Sequence, residues 1–174
     1  MSAAPAPDFA IAVQFVAVRP WVPTQAALRR WAAAAHASAI EAMPARKRSA
    51  AAMARHACIR IVGPAESRRL NRAYRDNDKP TNVLSFPASL AERKLDGALG
   101  DLVICASVVA SESRDQRKPR PAHWAHMVVH GMLHLHGFDH ERPRDARAME
   151  RLEVEILHRF GYQDPYLPVT RTEP

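Results

Sequence analysis

Alternating apolar and polar positions divide the chain into short strands and amphipathic helices. In the segment CIRIV, apolar residues flank Arg60 on both sides, which is typical of a strand with one buried face. The pattern predicts strands at Phe9–Val18, Cys58–Val62, Val83–Phe86 and Leu102–Cys105. It predicts helices at Gln25–Ala42, Pro64–Tyr74, Ser107–Arg117, Ala122–Leu135 and Glu141–Phe160. Because strands and helices interleave, we expect an α/β (α+β) fold in which a small mixed β-sheet packs against several helices.

Breaks in this pattern are assigned to turns and loops. Pro20 closes the first predicted strand, and Gly161 ends the last predicted helix. The segment PARKRS at 44–49 is interpreted as a basic, solvated loop that could also contact a phosphate backbone. DNDKPTN at 76–82 has the composition of a turn, and the stretch between the third and fourth strands is predicted to be a loop.

The predicted helix at Ala122–Leu135 carries a row of histidines. At about 100° per residue, His126, His130 and His134 fall in one narrow sector, and apolar residues cover most of the remaining surface. A helix that is apolar nearly all round is predicted to be central and buried. Buried imidazoles are costly unless each has a partner, and a metal ion is the partner that we expect for this row.

A third ligand can come from the segment that follows this helix. Gly137 can adopt the left-handed conformation that turns the chain back, and His140 can then meet His130 and His134. Three neutral imidazoles leave a fourth position open for water, which is typical of catalytic zinc sites rather than structural ones. Asp139, beside the third ligand, is a candidate acceptor for a histidine N–H.

The other histidines of this region are interpreted differently. His136 falls on another face of the helix and is predicted to lie at the surface or at the edge of the core. His123 and His126 share the sector of the expected ligands, but we predict them to be hydrogen-bonded structural side chains.

The spacing of the three expected ligands also occurs in the HExxHxxGxxH motif of one class of zinc proteases. That motif has a glutamate directly after its first histidine, whereas this chain has Gly131. A protease benefits from such a carboxylate as a general base, but phosphodiester cleavage depends more on the metal and on positive charge at the phosphate oxygens. We therefore interpret Gly131 as evidence against a protease and as room for a phosphate.

Composition and charge indicate a folded, basic protein. With 174 residues, 47% hydrophobic and 25% charged, the chain is long enough for one domain with a core, and we expect 1–174 to form a single domain. The formal net charge of +7 fits a polyanionic partner, although solubility explains the charge equally well. If the partner is nucleic acid, arginines should crowd the mouth of the metal cleft.

The compartment is predicted from the start of the chain and from its cysteines. The start, MSAAPAPDFA, has no basic segment before the apolar run, and no stretch has the length of a membrane-spanning helix. Cys58 and Cys105 are too few for a disulfide framework and are interpreted as buried thiols. We therefore expect a soluble, cytoplasmic protein without disulfides and without contact to a membrane.

Several motifs together resemble the YbeY family of bacterial metal-dependent endoribonucleases. The resemblance is carried by HGMLHLHGFDH at 130–140, NRAYRDNDKPTNVLSFP at 71–87, GDLVIC at 100–105 and GYQDPY at 161–166. HWAHMVVH at 123–130 leads into the first of these. The motifs lie within about residues 57–166, and the first fifty or so residues carry no motif that matches the family.

The resemblance implies a fold, a cofactor and a set of site residues. It implies a small mixed sheet packed against helices, with one zinc ion per chain on a central helix, held by His130, His134 and His140. Arg75 matches the arginine to which the family's catalysis is attributed, although Asp76 stands where a glycine is common in the family. The implied substrate is single-stranded RNA, cleaved in maturation of the 16S rRNA 3′ end and in ribosome quality control. The implied partners are precursor rRNA and the small ribosomal subunit.

Two other functions stay open at this point. The chain could be a ribosome-assembly or RNA-binding factor whose zinc is mainly structural, but the open fourth coordination position favours the enzyme. It could also be a metalloprotease, which is disfavoured by Gly131 and by the basic charge.

Overall fold

A mixed four-stranded sheet forms the framework of the structure. The computed structural model describes residues 9–17 and 21–168. The strands are β1 (Ala10–Phe15), β2 (His56–Val62), β3 (Val83–Pro87) and β4 (Ala98–Cys105), in the spatial order β1-β2-β4-β3. β2 runs parallel to both β1 and β4, whereas β3 is antiparallel to β4. The predicted α/β (α+β) fold with a small mixed sheet is confirmed.

Helices connect the strands and cover the sheet. They are α1 (Gln25–Ala42), α2 (Ala45–Ala52), α3 (Pro64–Arg75), α4 (Leu90–Asp96), α5 (Ala106–Asp115), α6 (Arg120–Leu135) and α7 (Pro143–Arg159). The five helices that the apolar pattern predicted agree with the observed bounds to within two residues. α6 packs on β3 and β4, and α1, α5 and α7 pack around it. The helix that carries the histidines is therefore central, as predicted.

Two segments that were predicted to be loops contain helices. PARKRS lies mostly in α2, because Pro44 precedes the first helical residue, where its missing N–H costs little, and the Ala, Arg and Lys residues that follow favour a helix. Between β3 and β4, Ser89 and Glu92 form a capping box that begins α4, and Gly97 ends this helix at φ +78°. Neither helix buries a residue, so apolar periodicity could not reveal them.

The first strand is shorter than predicted. β1 ends at Phe15, whereas the prediction extended the strand to Val18; both Val18 and the expected closing residue Pro20 lie outside the described residues. Beyond β1, the N–H groups of Val16 and Ala17 still donate to Ile61 O at 2.9 and 3.2 Å. The edge of the sheet is therefore held over slightly more than the length of the strand itself.

Gly131 allows α6 to approach the sheet closely. It is buried, and a Cβ added there would lie 2.8 Å from Leu102 Cδ2 and 3.2 Å from Val83 Cγ2. A larger side chain at this position would meet the sheet, since the position faces β3 and β4. The interpretation of Gly131 as room for a phosphate is therefore corrected: the position faces the sheet, and close helix–sheet packing favours a glycine there.

The end of α6 turns the chain back toward the helix. Gly137 has φ +86°, its N–H donates to His134 O at 2.9 Å, and the Phe138 N–H donates to Leu133 O at 3.1 Å. These two bonds form a Schellman motif, in which a glycine in the left-handed conformation satisfies the last carbonyls of a helix. Phe138 packs against the core, and the chain then leads to His140.

Candidate metal centre

Three histidines meet where α6 ends. His130 and His134 lie one turn apart on α6, and His140 lies in the segment before α7. Each offers a ring nitrogen, and these nitrogens lie within 4.8 Å of one another. The Nε2 atoms of His130 and His134 are 3.1 Å apart. Two ligands of a tetrahedral zinc ion would be separated by about 3.3 Å, so the geometry fits one ion shared by the three side chains.

The three imidazoles lie at the surface of the core, open to a cleft on one side. His130 and His134 are half-buried, and His140 is exposed. Burial, together with the nearby His130 and His140, lowers the pKa of His134. A lowered pKa favours the neutral ring, whose lone pair a metal ion requires. The exposed side leaves space for a further small ligand beside the three protein donors.

A buried carboxylate orients His130. Glu153, on α7, is fully buried, and its Oε1 lies 2.7 Å from His130 Nδ1. Burial alone raises the pKa of Glu153, but the neighbouring imidazoles of His126 and His130 outweigh it and hold the pKa at about 2. Because an ionised carboxylate can only accept, His130 donates through Nδ1–H. Its Nε2 lone pair then faces His134, as ligation requires.

The C-terminal segment completes the surroundings of Glu153. The Tyr166 hydroxyl donates a hydrogen bond to Glu153 Oε2 and lies 3.4 Å from His126 Nε2. Tyr166 reaches this position because Gly161, at φ +77°, turns the chain back after α7. Asp164 Oδ1 then accepts the Tyr166 N–H at 2.8 Å and holds the turn. Both oxygens of Glu153 thus have a partner, which a buried charge needs.

A second set of donor atoms overlaps the first. His126, His130 and Glu153 also each offer one ligand atom within 4.8 Å of the others. In this set His126 and Glu153 are buried, and the carboxylate already accepts hydrogen bonds from His130 and Tyr166. This set also lines a cavity, of about 330 Å³, whereas all three histidines of the triad line the cleft that contains Arg75. We infer that this triad fits a metal ion better and that Glu153 orients it.

The Asp139 side chain accepts hydrogen bonds from backbone N–H groups and not from a histidine ring. Its Oδ1 accepts hydrogen bonds from the N–H groups of His140 at 2.6 Å and Glu141 at 3.2 Å. The same oxygen is 3.9 Å from His140 Nδ1, which is too long for a hydrogen bond. The predicted contact between Asp139 and a histidine N–H is therefore wrong, because the carboxylate stabilises a turn, as aspartate side chains commonly do. Glu153 makes the predicted kind of contact instead.

His123 belongs to a separate, partly buried network. Its Nε2 lies 2.8 Å from Glu112 Oε2, and Asn82 Nδ2 donates to both oxygens of Glu112 at 3.1 Å. Asn82 Oδ1 accepts the Val83 N–H at 2.7 Å, so the network joins α5 and α6 to the start of β3. The hydrogen-bonded structural role predicted for His123 agrees with these contacts.

His136 pairs with another histidine at the edge of the core. Its Nε2 lies 3.0 Å from His36 Nδ1 of α1, and the His36 ring stacks on Phe9 with 3.6 Å between ring centres. Burial, aided by His36 and Arg93, lowers the pKa of His136 to about 3, and burial lowers the pKa of His36 to about 4. Both rings are therefore neutral near neutral pH, and one can donate to the other.

Arg75 lines the same cleft as the three histidines. The cleft has a volume of about 540 Å³ and lies between β3, α6 and the segment around His140. Arg75 is the last residue of α3, and its guanidinium donates to Ser85 O at 3.1 Å and lies 5.8 Å from the centre of the Phe86 ring. Asp76 follows at φ 56°, a left-handed conformation to which glycine is well suited.

Arginines do not crowd the mouth of this cleft, contrary to the prediction. Within the part of the chain that the structure describes, Arg75 is the one arginine that lines it, beside the carboxylates of Asp139 and Glu141. The cations lie instead in a neighbouring groove, which is lined by Arg46, Lys47, Arg142, Arg144 and Arg151. The prediction failed because two of these cations lie on α2 and three lie at the start or in the first half of α7, on helix surfaces that face the groove and not the cleft.

Glu153 and Tyr166 are the site residues that sequence reasoning missed. Glu153 lies four residues after Met149 and three before Ile156, on the buried stripe of α7. A carboxylate on an otherwise apolar stripe indicates a buried partner, so periodicity could have revealed it. Tyr166 has no such signal, since it lies 13 residues from Glu153 and meets it only through the turn at Gly161.

The described residues contain two free cysteines and no helix suited to span a membrane. No helix in residues 9–17 and 21–168 combines the length and the apolar character needed to cross a membrane. Cys105 is a buried free thiol, as predicted, whereas Cys58 is a half-buried one. Burial, with the nearby Asp101, raises the pKa of the Cys58 thiol.

Comparisons with known proteins relate this chain to endoribonucleases. The family model described as Endoribonuclease YbeY matches residues 24–161. The match therefore includes α1, although the first fifty or so residues carry no motif that the sequence analysis could assign to the family. The Endoribonuclease YbeY of Alkalilimnicola ehrlichii is 51% identical over 165 residues, covering 92% of this chain and 93% of that protein. The solution structure of a Thermotoga maritima protein matches with a TM-score of 0.54 at 19% identity, covering 91% of this chain and 99% of that one. This last likeness supports the fold alone.

Replacing Glu153 with glutamine should weaken metal binding while leaving the three donor side chains in place. Glutamine keeps the size of the side chain but loses the charge that selects the His130 tautomer, so we expect zinc affinity to fall about 10–100-fold. Competition with a chromophoric chelator measures this affinity. Glu155→Gln, at an exposed position on the same helix, is the matched control. Equal affinities for the two variants would rule out the orienting role, and thermal unfolding of the metal-free proteins separates lost affinity from lost fold.

Proposed function

The chain belongs to the YbeY family of endoribonucleases, and we propose that it cleaves single-stranded RNA with a zinc ion held by His130, His134 and His140. Family membership makes it a hydrolase that acts on RNA. The proposal is carried by one observation: three histidine nitrogens converge within 4.8 Å at the wall of a cleft that Arg75 also lines. A structural zinc site would almost always be closed by four protein ligands.

The side chains around the cleft have separate tasks in this proposal. When bound, a zinc ion supplies Lewis-acid polarisation of a phosphoryl oxygen and lowers the pKa of a water molecule. Arg75 contributes a planar, permanently charged group that can contact two phosphate oxygens at once. Its hydrogen bonds to Tyr74 O and Ser85 O use two N–H donors, and the remaining N–H groups can meet a phosphate. Glu153 keeps His130 in the tautomer that presents Nε2 to the cleft.

The cellular role that we propose is the one that the family implies. The RNA is precursor ribosomal RNA, cleaved in maturation of the 16S rRNA 3′ end and in ribosome quality control, with the small ribosomal subunit as partner, in the cytoplasm. The net charge of +7 and the basic groove beside the cleft support a polyanionic substrate. The family match over one continuous range, residues 24–161, supports a single domain, and the histidine triad at the cleft supports one zinc ion per chain.

A metalloprotease and an assembly factor with a structural zinc are the competing functions. Asp139 and Glu141 put carboxylates in the cleft, and a carboxylate beside a metal ion can act as the general base of a protease. Against this, Asp139 Oδ1 is engaged by two backbone N–H groups, and position 131 faces the sheet. Against a structural zinc, His140 is exposed at the open side of the triad.

Purified protein should cleave single-stranded RNA only when zinc is bound. We expect a chelator to abolish cleavage and added zinc to restore it, since the ion provides the Lewis acid. His134→Ala should lose both zinc and cleavage. The matched control is His158→Ala, which removes an exposed histidine of α7 that does not line the cleft. Metal content by mass spectrometry and fragments of end-labelled RNA are the measurements.

Two outcomes would contradict the proposed function. A His134→Ala protein that cleaves RNA as fast as the unmodified protein would place the activity elsewhere, in this chain or in a contaminant. Zinc-dependent cleavage of peptides, with RNA left intact, would favour the protease.

Arg75→Ala should separate cleavage from metal binding. Arginine is not a ligand, so zinc content should be unchanged. Single-turnover cleavage with saturating enzyme should fall about 10²–10³-fold, because the lost contact is strongest with the charge of the transition state. Arg75→Lys should not fully restore the rate, since an ammonium cannot make the paired contact of a guanidinium.

The control for Arg75 is Arg72→Ala, which removes an exposed arginine from the same helix and should cleave at the unmodified rate. If Arg75→Ala cleaves at the unmodified rate once saturated, Arg75 only binds RNA. If Arg75→Ala loses zinc, Arg75 maintains the structure around the site and its catalytic role is refuted.

A further inference from the structure

A basic groove lies beside the cleft that contains the three histidines. It is bounded by α2 and by the first half of α7, and its volume is about 760 Å³. We name it the α2–α7 groove. Two carboxylates line it, those of Asp139 and Asp145. Five exposed cationic side chains line it as well: Arg46, Lys47, Arg142, Arg144 and Arg151.

Among the described residues, none of these five cations forms a salt bridge. A few arginines elsewhere pair with carboxylates, among them Arg60 with Glu66 at 2.9 Å and Arg68 with Asp78 at 2.8 Å. Throughout residues 9–17 and 21–168, no carboxylate oxygen lies within 4.0 Å of a cationic nitrogen of the five groove residues. Their charge therefore faces the groove and the solvent, where it can attract a polyanion.

Both helices carry cationic side chains at their N-terminal ends, where the helix dipole is positive. α2 begins at the groove with Arg46 and Lys47 and has no acidic residue in its first turn. α7 begins there with Arg142 and Arg144, beside one acidic residue, Asp145. Cations in the first turn of a helix oppose its dipole, so these positions cost stability in the free protein. Phosphate oxygens in the groove would offset the cations and could also accept from the N–H groups at both helix starts.

The α2–α7 groove adjoins the histidine cleft at Asp139. Asp139 lines both spaces, while its neighbours Phe138 and His140 line the groove and the cleft respectively. A strand that leaves the cleft past Asp139 can therefore reach the groove. The carboxylate at this junction already accepts two backbone hydrogen bonds, which reduces its repulsion of a passing phosphate.

We propose that an RNA strand cleaved at the histidine cleft continues through the α2–α7 groove, where its phosphates bind the cations of α2 and α7. This inference rests on the proposed function, and it names the surface that supplies RNA affinity beyond the phosphate that is cleaved. A single strand carries one charge per nucleotide, so an RNA too short to extend beyond the cleft makes few contacts with these cations, whereas a longer RNA makes more.

The test compares a neutralised groove with a matched control on RNAs of two lengths. The groove variant combines Arg46→Gln, Arg144→Gln and Arg151→Gln. The control combines Arg30→Gln, Arg72→Gln and Arg120→Gln, which remove the same charge at exposed positions that line neither space. Full-length, zinc-loaded protein is titrated against labelled single-stranded RNA of about four or about twenty nucleotides. Each titration gives the single-turnover rate at saturation and the protein concentration at half-maximal rate.

On the longer RNA, the groove variant should need about tenfold or more protein to reach half-maximal rate at low salt, with the saturated rate unchanged. We also expect a weaker salt dependence. When the logarithm of this concentration is plotted against the logarithm of the salt concentration, the slope should be lower by about two for the groove variant, because each of the three lost phosphate contacts contributes about 0.7. On the short RNA, the groove variant and the control should behave like the unmodified protein.

A groove variant that matches the control on the longer RNA, in both concentration and salt slope, would overturn this inference and leave the proposed function standing. Unmodified protein that cleaves neither RNA would overturn both. Thermal unfolding checks the fold of each variant. If the triple groove variant does not fold, Arg144→Gln combined with Arg151→Gln provides the same comparison with a smaller expected change.

Discussion

The buried hydrogen bond between Glu153 and His130 is the interaction on which the site depends. Glu153 lies inside the core on α7, and its two oxygens accept from His130 Nδ1 at 2.7 Å and from the Tyr166 hydroxyl. A buried carboxylate that lost these partners would be very costly, so α6, α7 and the C-terminal segment must pack in one arrangement. That arrangement directs His130 Nε2 toward His134 and toward the cleft.

Three glycines allow the backbone to form this arrangement. Gly131 lets α6 lie close to the sheet, because any Cβ there would meet Leu102. Gly137 and Gly161, both in the left-handed conformation, turn the chain back after α6 and α7. The first turn brings His140 to the other two histidines, and the second brings a tyrosine to the carboxylate that orients them. The turns at the ends of α6 and α7 therefore position the side chains of the site.

Much of this framework was predictable from periodicity, because most elements bury an apolar face. The central helix and its row of histidines followed from a helical wheel, and Gly137 indicated how His140 could join them. The two short helices α2 and α4 bury nothing and so left no apolar pattern. The apolar pattern also could not show which way exposed cations face, and five of them line a groove beside the cleft. The prediction assigned to Asp139 the role of accepting a histidine ring N–H, which Glu153 has in the structure. Asp139 is next to His140 in sequence, whereas Glu153 lies on another helix and its contact with His130 depends on the tertiary structure.

The position of a bound zinc ion tests the central claim, that Glu153 orients a triad of histidines around one ion. Anomalous diffraction at the zinc absorption edge, from crystals grown with zinc, locates the ion independently of the protein. We expect one peak per chain, about 2.0–2.1 Å from one nitrogen of each of His130, His134 and His140. A peak between His126, His130 and Glu153, or a peak that His140 does not contact, would contradict the claim.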